Sequence, residues 1–384
     1  MATTSEKLAK PSEALSRNQL LEMYYFARLA RDIEERLVIL FRQSKVIGGL
    51  YRSLGQEGES VATAYALQRT DAVLPLIRNM GVLTTMGVRP LEIFRQYMAK
   101  GTSSSRGRDL NIHMVHFPAW LRAERGARGP AEAVRPPGPQ EDEPIVVGPI
   151  SMLGDSIAVA AGIAMGARMR GKNIVSMAWI GDGATSTGAF AEGMNFAAVQ
   201  KIPLVVVAED NKFAYSTPIS RQMAIERIDE RAASYGMPHE LVDGNDMLAV
   251  YDVAKRMVDK ARAGEGASLI GVDTMRMQGH AQHDDARYVP KDVLEQWASR
   301  DPLPRFRKVL IERGAAKDKD LDDIDKMTKD YAAKEADLAV DEPMPDPATV
   351  ARGVYAGDDF AEPKLELVRS PFADVASALG RKDE

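Results

Sequence analysis

Ala178-Trp179-Ile180-Gly181-Asp182-Gly183-Ala184-Thr185-Ser186-Thr187-Gly188 is the stretch whose reading decides the fold. It closes an apolar run over 174–180, passes through two glycines that flank an acid, and leads into helical periodicity over 190–200. A buried strand that enters a helix through glycines is the repeating unit of an open parallel sheet. The carboxyl edge of such a sheet binds ligands, and its helix N-termini offer free N–H groups to phosphate. The neighbouring sequence continues the pattern, with a small-residue helix over 155–170, apolar runs of strand length over 204–209 and 267–275, and an amphipathic helix over 246–262. Short continuous apolar runs alternating with helices predict an α/β fold, a parallel sheet flanked by helices on both faces.

Outside that unit, residues 1–17 read as a tail. Leu21, Tyr24, Leu29, Ile33, Leu37 and Leu40 then recur at helical spacing over 18–43, with Ser16 or Asn18 placed to cap the start. A short apolar run before Ile77-Arg78-Asn79-Met80-Gly81 reads as a buried strand, and residues 98–112, rich in Ser and Gly, as a loop. Pro118, Pro130, Pro136, Pro137 and Pro139 lie in a Pro/Gly-rich stretch over about 117–145, which is expected to be an exposed loop or a partner-dependent insertion within an α/β domain spanning 18–289. Residues 290–341 are charged and helix-prone, and 342–384 read as a C-terminal tail. The fold is therefore expected to carry helical N- and C-terminal extensions.

Composition removes whole classes of function. Among 384 residues there is no cysteine, which excludes disulfides, thiolate metal sites and a cysteine nucleophile. Fifty basic against fifty-five acidic residues leave no excess for nucleic acid or an anionic membrane surface. The longest apolar uncharged stretch, about 157–167, falls short of the roughly 18 residues a membrane span needs. The first sixteen residues lack both arginine and an apolar run, so a cytoplasmic protein is expected.

The acid between the glycines carries the chemistry. A carboxylate aimed at a pyrophosphate repels it unless a divalent cation stands between them. Mg²⁺ suits that place, because it takes hard oxygen ligands from one or two protein groups plus phosphates. A second ligand is expected at the end of the next strand, where Glu209-Asp210-Asn211-Lys212-Phe213 stands, with Asn211 29 positions after Asp182. Taken singly, Gly-Asp-Gly is most often a turn and Asp-Asn a loop or cap. The pair at this spacing and in this strand context is far more specific.

The span from Gly181-Asp182-Gly183 to Asn211 resembles the thiamine diphosphate motif. From about Tyr24 to Arg307 the chain resembles the alpha subunit of the thiamine-dependent decarboxylating component of 2-oxo acid dehydrogenase complexes. Further matches are Gly55-Gln56-Glu57-Gly58, Arg78 before Gly81, Gly107-Arg108 with Ile112-His113-Met114, Asn195-Phe196-Ala197-Ala198, Ser216-Thr217-Pro218, Val242-Asp243-Gly244-Asn245-Asp246, and residues 276–285. The resemblance implies a thiamine diphosphate-binding fold in which Asp182, Asn211 and the carbonyl of Phe213 hold Mg²⁺. It also implies that Gly183 and Ala184 give N–H groups to the diphosphate and that Arg78 makes a charge-assisted contact. Ser151 and Leu153 fall beside the middle and aminopyrimidine end of the cofactor, and Arg276 is counted with the cofactor-binding residues. His280 matches an active-site histidine facing the diphosphate, whose charge is expected to favour the imidazolium. The implied partners are a beta subunit that supplies the glutamate activating the aminopyrimidine, a lipoyl-bearing acyltransferase core, and a small 2-oxo acid.

Several positions depart from the pattern. Ile77 stands where many relatives carry tyrosine, and Met80 where pyruvate-specific ones often carry histidine, so pyruvate, branched-chain 2-oxo acids and acetoin all stay open as substrates. Ile150, Asp155 and Ser156 do not match the potassium-binding residues of branched-chain relatives, and Ala281 replaces the regulatory serine of mitochondrial ones. His113 reads either as an active-site wall or as a loop residue, and His116, His239 and His283 as solvent or loop residues. Two rival functions remain: an NAD-binding oxidoreductase, with Glu209 at the end of the second strand, and a non-catalytic scaffold subunit.

Overall fold

A computed structural model describes residues 10–118, 120–121, 143–353 and 365–373. In chain order the strands are β1 (Ala72–Leu74), β2 (Val115–His116), β3 (Ile145–Val147), β4 (Ser176–Gly181), β5 (Leu204–Asp210), β6 (Phe213–Ala214), β7 (Thr217–Pro218), β8 (His239–Asp243) and β9 (Ser268–Asp273). The α-helices are α1 (Arg17–Arg42), α2 (Glu57–Tyr65), α3 (Met80–Thr85), α4 (Pro90–Tyr97), α5 (Asp155–Met169), α6 (Gly188–Val199), α7 (Met247–Arg262), α8 (Lys291–Ala298), α9 (Pro302–Glu312) and α10 (Asp318–Asp341).

Seven strands form one sheet in the order β2-β3-β1-β4-β5-β9-β8, while β6 and β7 pair separately. All of its pairings are parallel except that of the edge strand β2. Every residue of β5 is buried, which is why a central parallel strand reads as an unbroken apolar run. Alternation along β4 sends Met177 and Trp179 to one face and Ala178 and Ile180 to the other. The first face packs against α1, α2 and α7, where Trp179 Nε1 donates to Thr63 Oγ1 at 3.0 Å. The second face packs against the small residues of α5 and α6. The chain leaves β1 towards β3 on one side and β4 towards β5 on the other, so the strand order reverses between β1 and β4 and opens a crevice at their carboxyl ends.

The periphery revises several expectations. Ser16 does cap α1, in a capping box with Gln19. The expected tail is partly docked, since Ser12 donates its N–H to Asp252 of α7 at 2.6 Å; residues 1–9 lie outside the described residues. Most of the 117–145 insertion also lies outside them, and its last residue, Ile145, already belongs to β3. Residues 291–313 form two helices, because Asp301 caps a new one that starts at Pro302. Part of the C-terminal tail is fixed as well. Arg89 N–H donates to Glu366 O, Val368 N–H donates to Gly87 O, and Phe372 meets the ring of Tyr25 edge-on.

Candidate active site

The crevice between β1 and β4 holds a cavity of about 700 Å³. All ten residues expected at the cofactor site line it: Arg78, Ser151, Leu153, Asp182, Gly183, Ala184, Asn211, Phe213, Arg276 and His280. They arrive from five separate places in the sequence, and the sheet alone brings them together.

Asp182 follows β4 directly and is 3% exposed. Burial raises its carboxyl above the usual range, against a hydrogen bond from Gln222 Nε2 at 2.8 Å and the Gly183 N–H. A carboxylate so poorly compensated favours a cation beside it. Asn211, at the end of β5, has a buried Oδ1 with no hydrogen-bond partner. A buried amide oxygen left unmatched costs free energy unless a ligand fills it, and a hard cation would. The Phe213 carbonyl accepts from Arg276 Nη1 at 3.2 Å, which leaves it one lone pair. Among the described residues no group of three or more His, Cys, Asp or Glu is placed to hold a metal ion. A cation here would rely on one carboxylate, neutral oxygens and its ligand's phosphates. The space beside Gly183 is tight: a Cβ there would lie 2.5 Å from Ala214 Cβ.

The same cavity is lined by two guanidinium groups that make no carboxylate ion pair among the described residues. Arg78 is buried; its Nη2 donates to the His280 carbonyl at 2.6 Å, and its Nη1 has no partner. Burial and the charge of Arg276 bring its pKa down to about 10. Arg276 is held by the carbonyls of Phe213, Tyr215 and Gln278 and by the Tyr288 hydroxyl. Two desolvated cations that form no ion pair among the described residues fit a multivalent anion.

His280 faces both. Its Nδ1 lies 3.2 Å from Arg78 Nη2 and 3.5 Å from Arg276 Nη1, so Nδ1 accepts and the ring proton sits on Nε2. Burial, then Arg78 and Arg276, lower its pKa to about 4. The ligand-free protein thus favours a neutral imidazole, because the guanidiniums face it without an anion between them; the imidazolium expected from sequence refers to the ring beside a bound diphosphate. The loop is fixed by Asp284, which accepts from the His280 N–H at 2.6 Å and from the Tyr288 hydroxyl at 2.7 Å. Tyr215 lies against the imidazole with ring centroids 4.5 Å apart, and Tyr51 meets it edge-on.

The other histidines are placed too. His113 bonds Asp109 at 3.0 Å and is not among the residues lining this cavity. His283 is exposed, as expected. His116 is not a solvent residue: it is buried on β2 with its ring 3.3 Å from Glu143. His239 lies on β8 and bonds the buried Asp229 at 2.8 Å. Sequence reasoning missed Gln222, Tyr215 and Tyr288 as site neighbours. It also named Glu209 only as the end of the second strand in the NAD-binding alternative, whereas both its oxygens are taken, by Asn79 and Gln56.

Over residues 25–348 the chain matches the family described as "Dehydrogenase E1 component". It belongs to that family. Among curated relatives of this E1 component, the 2-oxoisovalerate dehydrogenase subunit alpha of Bacillus subtilis is 34% identical over 307 residues, 79% of this chain and 85% of the relative. The pyruvate dehydrogenase E1 component subunit alpha of Staphylococcus aureus is 36% identical over 329 residues, 84% of this chain and 79% of the relative. Its namesake in Rhizobium meliloti is 29% identical over 332 residues, 86% and 88% of the two chains. This E1 component is thus an enzyme, an alpha component of the 2-oxo acid dehydrogenase class.

Proposed function

We propose that this E1 alpha component carries out the oxidative decarboxylation of a 2-oxo acid with thiamine diphosphate and Mg²⁺, in an assembly with a separate beta subunit, and passes the acyl group to a lipoyl arm on an acyltransferase core. One juxtaposition supports the reading most. The unmatched Asn211 Oδ1, the buried Asp182 carboxylate and two guanidiniums that make no ion pair among the described residues line one cavity. When bound, thiamine diphosphate supplies the nucleophilic carbon and the electron sink. The protein's part is to bind, orient and shield it.

Asp182, Asn211 and the Phe213 carbonyl would hold the Mg²⁺, and the backbone N–H groups of Gly183 and Ala184 would meet the diphosphate. Arg78 and Arg276 would neutralise it. His280 then exchanges two cationic neighbours for a nearly balanced surrounding, which makes its ring easier to protonate and fits it to give a proton or hydrogen bond to charge developing on the substrate oxygen. Ser151 and Leu153, exposed at the mouth, would flank the middle of the cofactor.

The substrate reading covers pyruvate and branched-chain 2-oxo acids, with acetoin as the alternative. One methylene is worth only about 1–3 kcal/mol in such pockets. No helix among the described residues is long and apolar enough to cross a membrane, and a cytoplasmic location belongs to the reading. The test is an artificial-acceptor assay of the reconstituted alpha–beta enzyme against a panel of these substrates. Turnover by this chain alone, unchanged on adding a beta subunit, would overturn the partner. Full activity of Asp182→Ala and His280→Ala assemblies would favour a scaffold, and NAD bound more tightly than thiamine diphosphate, without Mg²⁺ dependence, would overturn the cofactor.

A further inference from the structure

Glu209 is fully buried at the carboxyl end of β5 and lines the same cavity. On charge alone it is misplaced, because a buried carboxylate beside an anion site weakens the site. Its hydrogen bonds give it a different task. Oε1 accepts from Asn79 Nδ2 at 2.6 Å, and Oε2 accepts from Gln56 Nε2 at 3.0 Å. Asn79 is itself fully buried, and its Nδ2 also donates to Ser60 Oγ at 2.8 Å. Its other end closes a turn: Oδ1 accepts the Leu76 N–H at 2.7 Å, and its own N–H donates to the Leu76 carbonyl at 3.0 Å. Arg78 sits inside that turn, one residue before Asn79. Glu59 lies against Glu209; burial raises both carboxyls above the ordinary range, and the Glu209 charge raises Glu59 further.

We infer that Glu209 is a positioning residue for the diphosphate-binding arginine: through Asn79 it fixes the turn that aims Arg78 into the cavity. The inference rests on the reading of the cavity as a diphosphate site and assigns that site a support that touches no ligand. Charge and position predict opposite signs for Glu209→Gln. Removing a buried negative charge tightens anion binding, whereas a glutamine, with one acceptor oxygen facing the amide donors of both Asn79 and Gln56, must leave one of them unmatched and loosens the turn.

The measurement is calorimetric titration of the full chain, alone and with its beta partner, with Mg²⁺ plus thiamine diphosphate and with Mg²⁺ plus inorganic pyrophosphate. E209Q is expected to bind both about tenfold more weakly. In an Arg78→Met background the same substitution should make no further difference. Asn79→Asp combined with Glu209→Gln moves the carboxylate to position 79 and restores an acceptor for each donor, so it should recover affinity to within a few-fold of the wild type. Should E209Q fail to fold, Asn79→Ser gives the same readout, weaker binding that vanishes in the Arg78→Met background. Unchanged or tighter binding by E209Q, losses that add to those of Arg78→Met, or no recovery in the exchanged pair would overturn the role of Glu209. A wild-type chain that binds neither probe would instead overturn the diphosphate reading itself.

Discussion

Alanine at Gly183 would test the diphosphate end of the cavity through a single contact. Gly183 lies in the turn after β4, outside the left-handed region, so alanine can adopt its backbone and the effect is purely steric. The new Cβ would sit 2.5 Å from Ala214 Cβ, where carbon atoms rest at about 3.5–4.0 Å, so one segment must move by at least about 1 Å. Overpacking of this kind costs about 1–3 kcal/mol of stability, which a chain of this size tolerates. The larger consequence falls on the ligand. The segment that moves carries the N–H groups of Gly183 and Ala184, and a misplacement of about 1 Å is worth roughly 10²-fold. Calorimetric titration with Mg²⁺ and thiamine diphosphate should show that loss, about 2.7 kcal/mol, in a folded protein. Ala214→Gly supplies the control. Without that methyl, the nearest atoms to the new Cβ are Gln222 Oε1 at 3.5 Å and Ala214 Cα at 3.7 Å, both ordinary contacts, so Gly183→Ala with Ala214→Gly should regain the affinity. Wild-type binding by Gly183→Ala alone, or a double variant as weak as the single, would refute the steric argument and with it the aim of these N–H groups.

Asp182→Asn should lower Mg²⁺-dependent cofactor affinity by about 100-fold or more while slightly raising the melting temperature of the ligand-free chain, because burial already penalises the charged carboxyl; calorimetry and a thermal melt check the two signs together. Arg31 donates to Glu57 at 2.7 and 2.9 Å and to Asp301 at 2.8 and 3.1 Å, tying α1 to the starts of α2 and α9. Arg31→Met strands the fully buried Glu57 and should cost about 3–5 kcal/mol in urea unfolding, most of it recovered by adding Glu57→Gln. For His280, NMR titration of the ligand-free chain should give a pKa of about 4 against an ordinary 6.5, rising when Mg²⁺ and thiamine diphosphate are added. Since the folded value is the lower one, the unfolded chain binds more protons between those pH values; the stability due to the neutral ring is complete above about 6.5 and is lost as pH falls towards 4. A ligand-free value at or above 6.5 would refute the placement of the two guanidiniums.

Much of the sheet is legible because its central strands are buried on both faces. β4, β5 and β9 read as unbroken apolar runs, and the acid between glycines marks the edge where they meet a ligand. β8 escaped notice for the converse reason: His239, Glu240 and Asp243 give a half-exposed edge strand no apolar signature. β2 is two residues long, so nothing in the sequence reveals that His116 points inward. The break between α8 and α9 was written in the chain as Asp301-Pro302, a cap followed by a residue suited to the first turn, but amphipathic spacing on both sides masked it. At the site the pattern differs again. Residues within motifs, such as Asp182, Asn211 and Arg78, are visible through local chemistry. Gln222 meets Asp182 from 40 positions away and Asn79 meets Glu209 across 130, and no local pattern encodes such contacts.

The distribution of charge and exposure in the cavity bears on why one chain would be insufficient. Its inner end is complete: Arg78, Asp182 and Asn211 are buried, and the space around Gly183 is filled to contact. Its mouth is the reverse, with Met152 64% exposed and Tyr215 52% exposed on this chain alone. Chemistry that must exclude water cannot proceed under so open a rim, and apolar side chains held out at a cavity edge favour a covering surface. Of the three acids among the described residues lining the cavity, Glu209 is engaged by Asn79 and Gln56, Asp182 faces the candidate cation site, and Asp155 lies in the first turn of α5. On the proposed reading, the acid that activates the aminopyrimidine comes with the cover, and part of the substrate pocket comes with it. That accounts for why Ile77, which lines the cavity, and Met80, which is buried in the core behind it, leave the choice among pyruvate, branched-chain acids and acetoin open: the methylenes that distinguish these substrates would be counted by the other chain.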